Sequence, residues 1–241
     1  MTAYPKTLDV ETGAAALTTT ETDDVTVDGT LEPAMAERLA AVGLPALIAE
    51  RTHDDWQRLL ARLADPMAAD SRANYAAWLR RQARAWTAVQ LPAVHVAALD
   101  WPLASVRPQC LDVVGLIIAD LRDLSPRNRP SVVPAQPNRH DGPAHGTVVA
   151  AALLCLRVAE RSATLLGRAE ALAAGTTALG TGTRYLSRCA DLAERAPGVE
   201  REVRDWAARA EAHQVVHALT AAHRFTNRLA DALEAATRTG W

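Results

Sequence analysis

A glutamate in the second half of the chain, Glu160, is the side chain whose position best suits acid–base chemistry. Residues 147–172 predict one long helix, and Glu160 lies at the centre of its apolar face. That face consists of Val149, Leu153, Leu156, Ala163 and Gly167. Because burial raises the pKa of a carboxyl group toward neutrality, Glu160 is a candidate general acid or base. Arg157 and Arg161 lie about one helical turn away, so an ion pair within the helix is the structural alternative.

Gln82 is a second polar side chain on an apolar face. The helix predicted for residues 71–89, with Asp70 or Ser71 as its N-cap, places Gln82 in the middle of its stripe. The stripe and its border carry Tyr75, Trp78, Leu79, Trp86 and Val89. Because an unpaired buried amide costs about 1–3 kcal/mol, Gln82 is expected either to hydrogen-bond across the core or to face a ligand cavity. In the second case it would join Glu160 as a catalytic group, while Tyr75, Trp78 and Trp86 shape the substrate.

Two histidines, His213 and His217, have the spacing of metal ligands on a helix. The apolar stripe of that helix lies nearly opposite them, and no carboxylate accompanies them until Asp231, so both are expected at the surface. No metal site is predicted.

The composition favours an all-α protein. Hydrophobic residues make up 49% of the 241 residues and are mostly Ala, Leu and Val, while six Trp supply most of the aromatic bulk beside one Phe and three Tyr. Ala and Leu are among the best helix formers. A net charge of −2 gives no basic excess for nucleic acid or an anionic membrane, so neither partner is expected.

The cysteines and the apolar runs predict a cytoplasmic protein. Three cysteines, Cys110, Cys155 and Cys189, are well separated and form no CxxC pair, which indicates reduced thiols. The N-terminus lacks a basic start followed by an apolar run, so no signal peptide is predicted. Charged residues interrupt every apolar run before 18 residues, so no membrane span is predicted.

The chain is expected to form a disordered acidic tail over residues 1–29 and one helical domain over 30–241, with a long Pro-rich loop at 125–146. The expected helices cover 30–43, 45–63, 71–89, a segment after Pro102 that resumes at 110–124, then 147–172, 185–196 and 199–236.

Several stretches between residues 45 and 236 carry motifs of a known family. They are LIAERTHDDWQRLL, YAAWLRRQARAWTAVQ, WPLASVRPQCLDVVGLIIADLRDL, RVAERSATLLGR, GTRYL and AAHRFTNRL. In this order they resemble the helices of the bacterial biliverdin-producing heme oxygenases. The resemblance implies a heme-oxygenase-like multi-helix bundle. Glu160 and Ser162 match that family's distal helix, and Arg107 and Asp120 match the segment before it.

The chain departs from that family where heme would be held. Trp56 occupies the position of the proximal histidine, and an indole has no free lone pair for iron. The distal Gly-Gly is reduced to Gly167, and Arg161 replaces the glycine after Glu160. The one alternative heme ligand is His53, one turn before Trp56. A di-iron site would need several inward carboxylates and histidines, and no such set is evident.

These departures suggest a cofactor-independent enzyme of specialised metabolism, a cyclase or isomerase acting on an apolar or polycyclic small molecule. Its cavity would lie between the helices of Trp56 and Glu160, and Trp56 would help to bind the substrate. A heme oxygenase using His53, a non-catalytic binding protein and a homodimer remain open alternatives.

Overall fold

A computed structural model gives the fold of the chain. It describes residues 26–27, 30–63, 71–89, 91, 101–106, 112–124, 145–173 and 182–238. Most of the expected tail at 1–29 and nearly all of the expected loop at 125–146 therefore lie outside the described residues.

The all-α prediction is confirmed. The helices are α1 (Pro33–Val42), α2 (Leu44–Arg51), α3 (His53–Leu63), α4 (Arg72–Val89), α5 (Val113–Leu124), α6 (His145–Ala163), α7 (Leu166–Ala173), α8 (Arg184–Glu194), α9 (Ala196–Ala207) and α10 (Ala212–Arg238). Before them, β1 (Thr26–Val27) pairs antiparallel with β2 (Thr30–Leu31). The first helix therefore begins at Pro33 rather than Thr30, and the end of the expected tail takes part in a short hairpin.

Two expected helices are each divided in two, and a threonine lies at each break. Thr52 Oγ1 donates to the carbonyl of Ile48 at 2.8 Å, between α2 and α3. Thr164 Oγ1 donates to the carbonyl of Arg161 at 2.8 Å, between α6 and α7. A hydroxyl that bonds the preceding turn competes with the helical ladder and favours a bend. The continuous helices predicted for 45–63 and 147–172 are therefore wrong. Thr87 and Thr226 make the same kind of bond inside α4 and α10 without a break, so the hydroxyl bond alone does not divide a helix.

Residues 101–106 contain no helix, so the helix expected after Pro102 is also wrong. Glu202 of α9 holds this segment by accepting from the backbone nitrogen of Ser105 at 2.9 Å and from its hydroxyl at 2.6 Å. The Trp101 indole donates to the carbonyl of Val106. Polar contacts with α9 thus replace the helical ladder here.

Helices α6 and α10 form the centre of the bundle. α6 packs against α10, α8 and α9, while α10 also packs against α4, α3 and α2. The close approach of α6 to α10 requires Gly146, because an added Cβ would lie 2.0 Å from the carbonyl oxygen of Gln214. One hydrophobic cluster includes side chains from α2 to α10. In the described part of the chain, no helix is long and apolar enough to cross a membrane.

Candidate functional site

The aromatic face predicted for α4 is present and buried. Tyr75, Trp78 and Trp86 are at most 3% exposed and Gln82 is 1% exposed. Ser71 caps this helix by accepting from the backbone nitrogen of Asn74 at 3.2 Å, which confirms one of the two predicted caps. The predicted face therefore exists as a row of large side chains directed into the bundle.

Tyr185 on α8 extends this aromatic row and was not among the predicted site residues. The Trp78 ring lies 6.0 Å from the Tyr75 ring and 6.0 Å from the Tyr185 ring. The Tyr75 hydroxyl donates to the carbonyl of Gly182 at 2.9 Å. Burial, helped by the nearby Asp120 carboxylate, raises the pKa of Tyr75. Tyr75 therefore has a structural bond at the turn that leads into α8.

Asp120 holds the N-terminus of α8, and with it Tyr185, in place. Its carboxylate is fully buried and accepts from the backbone nitrogens of Arg184 at 2.8 Å and Tyr185 at 2.9 Å. These nitrogens belong to the first turn, where helical amides have no partner within the helix. Burial raises the pKa of Asp120, although both hydrogen bonds act in the opposite direction. The turn before the helix uses Gly182 at φ +62°, a conformation that side chains rarely adopt.

A small cavity lies between α4, α5, α6 and α8, beneath Tyr185. Its empty volume, including the open mouth, is about 290 Å³, and the enclosed part has room for little more than a water molecule. Its apolar wall includes Val113, Leu116, Val158, Ala159 and Leu192. Its groups with polar atoms are Trp86, Cys155, Tyr185, Arg188 and Cys189. This cleft is the candidate functional site.

Two residues of the cavity wall carry buried polar atoms that have no hydrogen-bond partner among the described residues. These atoms are Trp86 Nε1 and Tyr185 Oη, and the same holds for Trp78 Nε1 and Gln82 Oε1 farther along the α4 face. The Tyr185 hydroxyl lies beside Ser162, Cys189 and Trp86, yet none of these contacts has hydrogen-bond geometry. A buried polar group without a partner is costly, so such a group at a cavity suggests a ligand or water as its partner.

Two titratable groups of the cavity wall, Tyr185 and Cys189, have a raised pKa. Burial raises the pKa of Tyr185 well above its ordinary value and raises the pKa of the Cys189 thiol to about 12. Trp86 has only an N–H to offer, and Arg188, which is partly exposed, contributes a guanidinium. The described wall thus presents hydrogen-bond donors and includes no carboxylate.

The expectation that Glu160 points inward is wrong, because its side chain is exposed. Almost every residue of α6 from Gly146 to Ala159 is buried, so this part of the helix has no polar face. Only the last turn projects beyond the core, and Glu160 belongs to it. Partial burial and the nearby Glu200 raise the pKa of Glu160, while Arg157 lowers it. Glu160 is not part of the cavity wall.

Trp56 also lies outside the cavity, in a region filled by Arg157 of α6. The Arg157 guanidinium lies 4.2 Å from the centre of the Trp56 ring and donates to Thr52 Oγ1 at 3.0 Å. The space expected between the helices of Trp56 and Glu160 therefore contains a cation stacked on an indole. The structure brings Tyr75, Trp78, Gln82 and Trp86 together, and separates Trp56 and Glu160 from them.

The residues around Trp56 do not fit a histidine-ligated heme. His53, the alternative ligand, is exposed. Trp56 has no lone pair for iron, and Arg157 covers its ring. His213 and His217 are both exposed, as predicted, with their rings 5.8 Å apart. No group of three or more histidine, cysteine, aspartate or glutamate side chains suited to a metal ion is found among the described residues.

Comparisons with known proteins found no match to this chain in a family model, a curated protein or a solved structure.

Proposed function

We propose that the protein is a cofactor-independent small-molecule enzyme whose site is the cavity between α4, α5, α6 and α8. The observation that carries this proposal is the pair of unpartnered atoms in the cavity wall, Trp86 Nε1 and Tyr185 Oη. Both can donate to one acceptor on a ligand, such as a carbonyl oxygen. An apolar wall with a few convergent polar groups is typical of small-molecule sites.

Hydrogen-bond donation to a carbonyl defines the chemistry that this wall would support. The raised pKa values of Tyr185 and Cys189 keep both groups protonated, so neither would act as a base or nucleophile at neutral pH. Two preorganised donors would instead stabilise negative charge that develops on the oxygen. A ring closure or rearrangement that needs carbonyl activation and a folded substrate fits this wall. Glu160 has no place in that step, because it lies outside the cavity.

The size of the cavity narrows the substrate. The enclosed part has room for little more than one water molecule, so it would take the carbonyl oxygen alone, and the rest of the ligand would lie in the open part of the cleft. We therefore propose a compact, single-ring or short-chain carbonyl compound. The heme-oxygenase-like helix arrangement and the cytoplasmic location belong to this proposal as well. Cys155 and Cys189 are buried and form no disulfide, which supports a reducing compartment.

Binding of acetophenone labelled with ¹³C at its carbonyl tests the site. Donation from Tyr185 and Trp86 should move the carbonyl ¹³C resonance of the bound ketone downfield from its position in hexane. Tyr185→Phe removes only the hydroxyl and should reverse most of that shift, while Tyr4→Phe serves as the matched control. If the carbonyl ¹³C shift of the bound ketone is the same in Tyr185→Phe and Trp86→Phe as in the wild type, the proposed site is refuted.

Turnover separates an enzyme from the alternative of a binding protein. A panel of compact unsaturated ketones, whose ring closure needs only carbonyl activation, should include one that is converted stereoselectively. Its kcat should fall by roughly 10²–10³-fold in Tyr185→Phe, the range for loss of one oxyanion donor. Tyr185-dependent binding without conversion of any member would favour the binding protein.

Titration with hemin tests the heme alternative. Because Trp56 is covered by Arg157 and His53 is exposed, we expect no stoichiometric histidine-ligated complex. A sharp Soret band at one equivalent that disappears in His53→Ala would restore the heme oxygenase hypothesis.

A further inference from the structure

We infer that the ligand of this cavity carries a carboxylate and that Arg188 recognises it. This inference rests on the proposed function and names the class of compound: a compact apolar oxo acid or aryl carboxylate. Its carbonyl would meet Tyr185 and Trp86, and its carboxylate would lie at the mouth.

The first argument is the charge of the wall. Arg188 lies one helical turn after Tyr185 on α8, and it is the only charged residue among the described lining residues. The donors of the wall are an indole N–H, a phenol, two thiols and a guanidinium. A donor-rich wall with one cation and no anion complements a ligand rich in acceptors that bears a negative charge.

The second argument is that Arg188 is uncommitted. Within the described part of the chain, its guanidinium makes neither a hydrogen bond nor an ion pair. Other arginines at helix contacts are engaged: Arg184 contacts Asp123 at 2.7 Å, Arg157 contacts Thr52 at 3.0 Å, and Arg58 contacts Asp231 at 2.6 Å. A guanidinium is a planar fork that binds a carboxylate through two parallel hydrogen bonds.

The third argument is the partial burial of Arg188, which is neither buried nor fully exposed. An ion pair at this position would be weakened by added salt but not abolished, unlike a pair in open solvent. The carbonyl oxygen of the ligand would enter the enclosed part of the cavity, which is about the size of a water molecule, while the ring and the carboxylate would lie in the open part beside Arg188. The same arrangement would disfavour neutral analogues of equal size.

The test compares benzoylformate with its neutral isostere benzoylformamide, using ligand-observed NMR titrations of the full chain. The acid should bind at least tenfold more tightly than the amide, and added salt should reduce that preference. Arg188→Gln should abolish the preference and leave amide binding within about twofold, while Arg188→Lys should keep part of it. Arg195→Gln, an exposed arginine after the same helix, is the matched control and should change nothing.

The outcomes separate the two proposals. Equal binding of acid and amide, or a preference that survives Arg188→Gln, would overturn the role of Arg188. If the amide and acetophenone still bind in a Tyr185-dependent way, the cavity would remain the site. If acid, amide and acetophenone all fail to bind, both proposals fall. Thermal unfolding of each variant checks that the fold is intact.

Discussion

The two sides of α6 differ in how their polar side chains are satisfied. Toward α3, Arg157 donates to Thr52 and stacks on Trp56, so the space between the helices is filled. Toward α8, Trp86 and Tyr185 belong to the wall of a cavity, and their Nε1 and Oη atoms have no partner among the described residues. Satisfied groups stabilise a fold, whereas unsatisfied ones cost stability and are retained where a ligand uses them. Substitutions should therefore affect stability on the first side and function on the second.

Removal of Asp120 should have the largest effect, because the cavity wall depends on it. Asp120→Ala would leave the backbone amides of Arg184 and Tyr185 buried without a partner. At about 1–3 kcal/mol for each buried unsatisfied donor, we expect a loss of about 3 kcal/mol in the free energy of unfolding. Urea denaturation measures it, with the exposed Asp191→Ala on α8 as the control at less than about 0.5 kcal/mol. A loss below about 1 kcal/mol would show that something else fixes α8.

Arg157→Met tests the filled side. The methionine keeps an apolar stem but loses the bond to Thr52 and the stacking on Trp56, so we expect a loss of about 1–2 kcal/mol in unfolding free energy. Ketone binding in the cavity should not change. Arg161→Met, exposed one turn further on, should leave both properties unaltered. A loss of binding without a loss of stability would reverse the assignment of the two sides.

Tyr185→Phe should have a smaller and opposite effect on stability. The hydroxyl is buried without a partner, so its removal should leave the free energy of unfolding unchanged or raise it by up to about 1 kcal/mol. Ketone binding should weaken in the same variant. Thermal unfolding measures the change in stability, and an NMR titration of the same sample measures the change in ketone affinity. A clear destabilisation would mean that the hydroxyl has a structural partner and that the cavity lacks its proposed donor.

Local features of the fold could be predicted from the sequence. The end of α1 at Gly43, the Ser71 cap and the aromatic face of α4 follow from local rules on glycine, caps and helical period. The breaks at Thr52 and Thr164 could not, because a threonine hydroxyl bonds the preceding turn both at these breaks and inside the unbroken helices α4 and α10.

Only the part of the site that lies on α4 could be predicted from the sequence. Trp86 and Gln82 could be found because α4 has a polar face to contrast with its apolar one. α6 is buried on nearly all sides, so the spacing of its apolar residues does not indicate whether Glu160 faces the core or the solvent. Tyr185, Asp120 and Arg188 depend on how α8 packs against α4, α5 and α6, which the spacing of residues within one helix does not determine. The available signals were the resemblance of Asp120 and of the GTRYL segment to family motifs, and neither indicated a cavity.

The smallest expected effect concerns pH and depends on the same hydroxyl. Because burial raises the pKa of Tyr185 well above its ordinary value near 10, the phenol should remain a donor where an exposed tyrosine ionises. Ketone binding should therefore stay constant from pH 7 to about pH 10.

The stability of the protein should depend on pH as well, because the folded protein holds the Tyr185 proton more tightly than the unfolded chain does. The stabilising contribution of this proton is complete below the pKa of the unfolded state and is lost as the pH rises through the pKa of the folded state. Above about pH 10 the wild type should thus lose stability relative to Tyr185→Phe, by at most about 1.4 kcal/mol per pH unit, since one proton is involved. Urea titrations of both proteins at pH 8 and pH 10.5 measure the difference. If the two curves fall in parallel and binding is already halved near pH 10, Tyr185 ionises as an exposed tyrosine does, and the contrast between the two sides of α6 disappears.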